Sequence, residues 1–540
     1  MSLDGIITLS SLLVALYAIL PRSRRLELSL RLSRMDVFLL VTAFLSIIYL
    51  QFYATFRKLE LTPGLGFSKW NITIYNASFL VVLFTLLIIL IHLKLAKLTP
   101  KRVSRFAELL EELMTERRYA EIFSLSSRHL LRLSKIYHSD FLSARIRKHL
   151  LDSFSSYAHF PESVKQSHEQ SRTKKLNQFY QNRVKPLLKP FEILLPNHEP
   201  SSEIAQNIVR NLILSKNVVK ATVEIKPYWA LEFLKRRFQE NQEFLDLYLR
   251  ELLSDASSIL YFEIRHNQNL SALGKYDIPQ RNRLLYFLFN DASVAEKLGV
   301  YRPVGEYVIS ELQSLGKQPS IDPYNQTMGD FHDRGKWESS IFVGIRFFDI
   351  MVSSALHQNI RWHMWLSYVT YFTEEIIGNY SSDSGEIESF SEWPTRYHYL
   401  LYTIVDSLCD WIRPVRDLPK NQENIKLENS AATHQNDNIP KSSILALGYC
   451  IKKILKSDKF HQNFKNYIIE IVFYLYLQLK EISESSDYAK ALLNAMKAGG
   501  IRMMSRDPIY IETLTDSLSS LDQIKYGHEI DEIIEHINKP

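Results

Sequence analysis

Glycine is scarce in this chain, at 16 of 540 residues, about 3% against a usual ~7%. A fold assembled from glycine-rich nucleotide-binding turns would lack its characteristic residue, whereas helices tolerate that scarcity best. Cysteine is scarcer still. Cys409 and Cys450 alone exclude a disulfide framework and a cysteine-based zinc site, and they fit a bulk domain in a reducing compartment. Catalytic signatures are missing as well. Lys275, Lys317 and Lys336 each follow a glycine, yet none has the second glycine or the following Ser/Thr of a phosphate-binding loop. HExxH, GxSxG, CxxC and GxGxxG do not occur, and Glu224-Ile-Lys226 supplies only half of a metal-dependent nuclease core. The sequence therefore calls for no cofactor and no metal, and it offers no catalytic residue. The lone cysteines read as core hydrophobes.

Charge is absent where apolar residues run longest. Three stretches, Gly5 to Leu20, Val37 to Phe56 and Ile72 to Leu93, contain no Asp, Glu, Lys or Arg. A hydrocarbon core ~30 Å thick needs ~20 helical residues, so three transmembrane helices are expected at about residues 3–20, 37–56 and 72–93. A cleaved signal peptide is disfavoured for the first, because Met-Ser-Leu-Asp carries no positive charge and Arg22, Arg24 and Arg25 follow the apolar run. Uncharged spans leave no carboxylate for a proton relay or an ion path within one subunit.

The net charge of +6 is unevenly spread. Residues 1–100 hold 10 basic and 4 acidic side chains, residues 101–200 hold 18 and 11, and the remainder hold 37 and 44. Basicity is thus concentrated beside the apolar segments, which points to a membrane surface and gives no strong signal for nucleic acid. Arg22, Arg24, Arg25, Arg31 and Arg34 lie between the first two runs, and Lys94, Lys97, Lys101, Arg102 and Arg105 follow the third, while the intervening loop has three basic residues. The positive-inside rule then predicts an inner (plasma) membrane protein with its N-terminus outside and everything after residue 98 cytoplasmic.

Beyond residue 98 the pattern is helical. Val103, Phe106, Ala107, Leu110, Leu113 and Met114, then Tyr119, Ile122, Phe123, Leu130, Leu133 and Tyr137, recur at three- and four-residue spacing and predict an αα-hairpin. A juxtamembrane region is expected over 99–160, a linker over 161–178, a central helical domain over 179–413, a polar insertion over 414–443 and a C-terminal helical domain over 444–540. Helices are expected at Glu203 to Leu214, Ala230 to Leu253 and Leu284 to Leu298, the last with Asp291 as a cap and Gly299 after its end. Val218 to Ile225 and Ile259 to Ile264 are rich enough in β-branched and aromatic residues to suggest strands. The expected fold class is mainly α, an N-terminal bundle of three transmembrane helices and a large irregular helical cytoplasmic region, with minor β elements.

Polar residue types converge most densely between Asp322 and Asp349. Asp330, His332, Asp333, Lys336 and Trp337 are the candidate ligand or partner residues, since carboxylate and imidazole sit beside a cation and an indole within eight positions. A capped loop with internally paired charges is the structural alternative. The arrangement of short N-terminal spans, residues 1–98, followed by a large cytoplasmic region without an enzyme motif resembles bacterial membrane-anchored antiviral effectors of the abortive-infection type. That resemblance implies a cytosolic part that senses infection or docks a protein, and homo-oligomerised spans that perturb the lipid bilayer. It assigns no functional residue. A membrane-tethered scaffold and a hydrolase or nuclease with an unrecognised site are the competing readings.

Overall fold

The computed structural model describes residues 18–59, 73–95, 97–141, 199–267, 275–317, 322–360, 365–381, 393–417, 438–481, 486–499 and 507–539, with isolated residues elsewhere. The described chain is mainly α-helical and divides into two compact units, Met1–Val218 and Val219–Pro540.

In the first unit, α1 (Arg22–Arg31) leads into α2 (Arg34–Gln51), α3 (Tyr53–Lys58) and α4 (Ile74–Leu95). The start of α2 is fixed by a capping box: Ser33 Oγ accepts from Asp36 N, and the Asp36 carboxylate accepts from Ser33 N. Packing of α2 on α4 makes a hairpin, tied at one end by His92 Nδ1 and Asp36 Oδ1, 2.7 Å apart. The seam buries Ile47, Leu50, Ile89, Ser78 and Thr85, while Phe38, Phe44, Phe79, Phe84 and Leu90 lie exposed on the outer surface. The third expected span thus coincides with α4, and the second is covered by α2 and α3, which meet at Phe52. The first, over 3–20, lies almost wholly outside the described residues.

The predicted αα-hairpin is α5 (Val103–Thr115) and α6 (Tyr119–Tyr137), burying Phe106, Leu110, Ile122, Phe123, Leu130 and Leu133. Both pack against α7 (Glu199–Ile213), where Ser202 Oγ donates to Tyr137 O at 2.6 Å, and α5 also carries α1. The linker expected at 161–178 lies outside the described residues.

Two expectations of strands are corrected. Val218 to Ile225 lies within a helix, α8 (Lys216–Ile225), and Ile259 to Ile264 within another, α11 (Ile259–His266). β propensity is a preference for packing on a pleated surface, and the only bridge among the described residues, Thr327 with Thr395, lies in neither segment. A lone extended segment would bury its N–H and C=O groups unpaired. Helical geometry pairs them internally, and in α11 it gathers Leu260, Tyr261 and Ile264 on one buried face.

Two expected helices are each broken in two. Ala230 to Leu253 is α9 (Trp229–Leu234) and α10 (Asn241–Ser254), and the Asn241 amide donates to the carbonyls of Leu234 and Arg236 at the break. Leu284 to Leu298 is α12 (Arg283–Phe289) and α13 (Ala292–Leu298). Asp291 accepts from Ser293 N at the start of α13, and Gly299 closes it at φ +65°, where only glycine is unstrained.

The second unit is organised around α15 (Ser340–His357), which packs on α10 to α13, on α14 (Tyr301–Gly316), on α17 (Arg396–Ile412) and on α18 (Ile439–Lys456). Its close seat on α14 needs Gly344, since a Cβ there would come within 2.3 Å of Val308. α16 (Leu366–Asn379), α19 (Gln462–Glu481), α20 (Ser486–Ala498), α21 (Pro508–Ser519) and α22 (Gln523–Asn538) complete the unit. Of the insertion expected at 414–443, residues 418–437 lie outside the described residues.

Candidate functional site

The polar segment singled out in the sequence forms three short 3-10 turns, Pro323–Asn325, Gly329–Phe331 and Gly335–Glu338, leading into α15. The turn at Ser339 is fixed from both sides: its hydroxyl accepts from Phe342 N and contacts Tyr324 Oη at 2.6 Å. Asp322, buried, accepts from Tyr324 N and from Tyr397 Oη, binding the loop to α17.

Of the candidate residues, Asp330, His332 and Asp333 are exposed, Lys336 is half-buried and Trp337 is buried. His332 stacks on Trp393 with centroids 5.3 Å apart, and its Nδ1 lies 3.1 Å from Asp333 Oδ1. Lys336 turns inward. Its Nζ donates to Tyr399 Oη at 3.1 Å and lies 5.4 to 5.8 Å from the ring centroids of Trp337, Phe342 and Tyr399. Burial lowers the Lys336 pKa, and the Arg346 charge adds to that effect. The aromatic box is thus filled by the chain's own cation, which fastens the loop to α15 and α17.

Behind it lies a polar network that sequence reasoning did not assemble, although Asp349 closes the segment it singled out. Arg346 donates to Asp349 Oδ2 at 2.6 Å and to Tyr276 Oη at 2.8 Å; Tyr276 Oη donates to Asp349 Oδ2 at 2.5 Å, and Trp411 Nε1 to Asp349 Oδ1 at 3.0 Å. Burial and then the Asp349 charge push the Tyr276 phenol up, which keeps it a donor. On α17, burial and then the nearby Asp406 carboxylate push Asp410 up to about 7, against the opposing pull of its ion-pair partner Arg413. Among the described residues, no three His, Cys, Asp or Glu side chains converge as metal ligands. Cys409 and Cys450 are buried, and burial pushes the Cys450 thiol up to about 12, so neither is poised as a thiolate nucleophile.

In the first unit the basic residues separate by role. Arg102 caps the C-terminus of α1 and the residue after it, donating to the carbonyls of Leu30, Arg31 and Leu32 at 2.7, 3.4 and 2.9 Å. Arg24 and Arg31 both pair with Glu27. Arg25, Lys94, Lys97, Lys101 and Arg105 are exposed. The side chains of Arg22 and Arg34 lie outside the described set. His129, buried against the Phe106 ring, has an Nε2 without a hydrogen-bond partner; burial, then Arg128 and Arg31, hold its pKa down at about 4. Along the α2–α4 hairpin an open groove of about 470 Å³ is lined by Thr42, Leu45, Ser46, Tyr49, Leu50, Ala77 and Val81. The Thr42 and Ser46 hydroxyls are returned to their own helix, donating to Phe38 O and Thr42 O.

Compared with known proteins, the chain matches no family model, no curated protein and no solved structure.

Proposed function

We propose that this chain is a membrane-anchored docking or sensing protein. Its N-terminal spans form a three-helix bundle in the inner membrane, homo-oligomerise and perturb the bilayer under the control of a cytoplasmic helical region that engages a protein partner. Bacterial antiphage defence is the setting that this layout fits. The observation that carries the reading is the outer face of the α2–α4 hairpin: Phe38, Phe44, Phe79 and Phe84 are more than half exposed, while Asp36 and Ser78 are buried. Water would penalise such a surface at about 25 cal/mol per Å², and lipid removes that penalty. By length and composition α4 is long enough to cross a bilayer.

Exposed Lys94, Lys97 and Lys101 follow the apolar stretch of α4, where anionic headgroups on the cytoplasmic leaflet attract cations. The small and hydroxylated residues of the hairpin groove, Thr42, Ser46 and Ala77, suit close approach of a further helix. On the cytoplasmic side, exposed Asp330, His332 and Asp333, held on a stapled loop, offer a partner a rigid polar face.

Two measurements test this reading. Reporter fusions at Gly64 and near Asn436 should report opposite sides of the membrane, and the same side for both would sink the topology. The full-length protein in mild detergent should have a multimeric mass, and its activation should depolarise the membrane. A strictly monomeric particle, or a normal response at unchanged potential, would favour the scaffold.

A further inference from the structure

The second unit carries a concavity of about 320 Å³ between α19 and the corner joining α21 to α22. Its wall holds four aromatic rings, Tyr467, Phe473, Tyr474 and Tyr526, and two carboxylates, Glu470 and Asp522; none of its lining residues is basic. The rings stand edge to face, Tyr526 with Phe473 at 5.5 Å and with Tyr474 at 6.1 Å. Tyr526 sits at a kink in α22, at φ −129° and ψ 17°.

Both carboxylates keep acceptor capacity. Asp522 caps α22 through one oxygen only, Oδ1, which accepts from Ile524 N and Lys525 N. Glu470 lies near the Tyr474 hydroxyl and, after burial, raises its pKa, and a carboxylate has lone pairs for a stronger donor. The surroundings share the sign: residues 508–540 contain seven Asp and Glu against two Lys. The chain's own Lys525 shows the attraction at work, its Nζ 4.8 Å from the Tyr526 ring centroid. Tyr474, in the wall, is 42% exposed, and Ile524, two positions from both Asp522 and Tyr526, is fully exposed; exposed apolar and aromatic side chains of this kind anchor protein interfaces.

We propose that this pocket docks an arginine side chain presented, with flanking apolar residues, by a partner protein. A planar guanidinium can stack on a tyrosine face while forking its donors to Glu470 and Asp522, which a lysine ammonium cannot do. The proposal deepens the docking half of the function above. Its readout, peptide binding, is separate from the topology, mass and potential measurements, so either can fail alone.

The test is titration of the full-length protein in nanodiscs with the capped peptides acetyl-Leu-Arg-Leu-amide and acetyl-Leu-citrulline-Leu-amide, and with agmatine. The arginine peptide should bind at least tenfold more tightly than its neutral citrulline isostere, weaken with added salt, and bind at least fivefold more tightly than agmatine. Glu470→Gln and Tyr526→Leu should each weaken it at least fivefold, with the melting temperature unchanged, and Ile524→Ser should erase the peptide's advantage over agmatine. Equal binding of the arginine and citrulline peptides, or of neither, overturns the proposal even if a variant misfolds, because it is read on the unaltered chain. Agmatine binding as tightly as the peptide would make the ligand a small amine. A change in oligomeric mass on Glu470→Gln would make the occupant a second copy. Either result overturns the assignment to a separate protein.

Discussion

Two helices of similar length, one in each unit, sit in opposite surroundings, and the more apolar of them is the exposed one. Both Tyr75–Lys94 of α4 and Ser340–His357 of α15 are long and apolar enough to cross a membrane, yet 17% of the first is buried within the protein and 83% of the second. The difference lies in the side chains that interrupt the apolar run. In α15 those are Gly344, which lets α14 approach, and Arg346 and Asp349, which find partners on α17 and at Tyr276. Midway along α4 the interruptions are Ser78 and Thr85, both buried, and the exposed residues between them, such as Phe79 and Phe84, are bulky and apolar; exposed Asn76 and His92 lie toward the ends. The exposed helix is the more apolar of the two, and the polar residues of the buried helix are the ones that meet its neighbours.

The comparison breaks most visibly under truncation. Phe347→Ala removes a fully buried ring packed 5.2 Å from Phe289 and should cost the second unit about 4 kcal/mol. Phe84→Ala, at a ring 58% exposed, should cost under about 1 kcal/mol. Denaturant unfolding of the protein in detergent measures both, and equal losses would mean that α4 is a core helix too.

Next in size is the buried ion pair. Arg346→Met leaves Asp349 without its cation and should destabilise by about 3 kcal/mol, whereas Arg25→Met on an exposed face should do nothing measurable. A neutral outcome for Arg346→Met would mean that Tyr276 and Trp411 alone satisfy the carboxylate.

Acid sharpens the comparison from another side, because each unit contains a buried neutral imidazole. Burial holds His129 at about 4 and His398 at about 3. A base whose folded pKa lies below its unfolded value of about 6.5 binds more protons when unfolded, so stability is full above pH 6.5 and falls as pH drops toward the folded pKa. Each should contribute a loss of about 3 kcal/mol by pH 4.5. His129→Phe should flatten the acid limb for the first unit only, and an unchanged profile would mean that His129 is solvated in the native protein.

The smallest effect concerns the cap on α1. Arg102→Ala should loosen α1 from α5 at a cost of about 1–2 kcal/mol, while Lys101→Ala should not. Amide exchange at residues 22–31 would report it, and unchanged protection would remove Arg102 from its capping role.

Much of this was legible in the sequence. The hairpin over residues 103–137 follows from three- and four-residue spacing that only a helix converts into one buried face, and Asp291 and Gly299 mark a boundary because each satisfies a local backbone need. The candidate segment was visible as a density of polar types, but its role was not. The rings around Lys336 include Phe342 and Tyr399, 6 and 63 positions away, and the Asp349 partners Tyr276 and Trp411 lie 73 and 62 residues distant. Among the basic residues, composition could not tell Arg102, spent on three carbonyls, from Lys101, left in solvent.

The sequence by itself determined that the chain would be helical, where its longest apolar segments lie and that positive charge gathers beside them, because periodicity, run length and charge are local properties. Only the tertiary structure decided which β-branched runs were helical and which charges were paired. Those outcomes depend on partners distant in the chain, and a buried polar group is settled by whichever neighbour meets its hydrogen bonds.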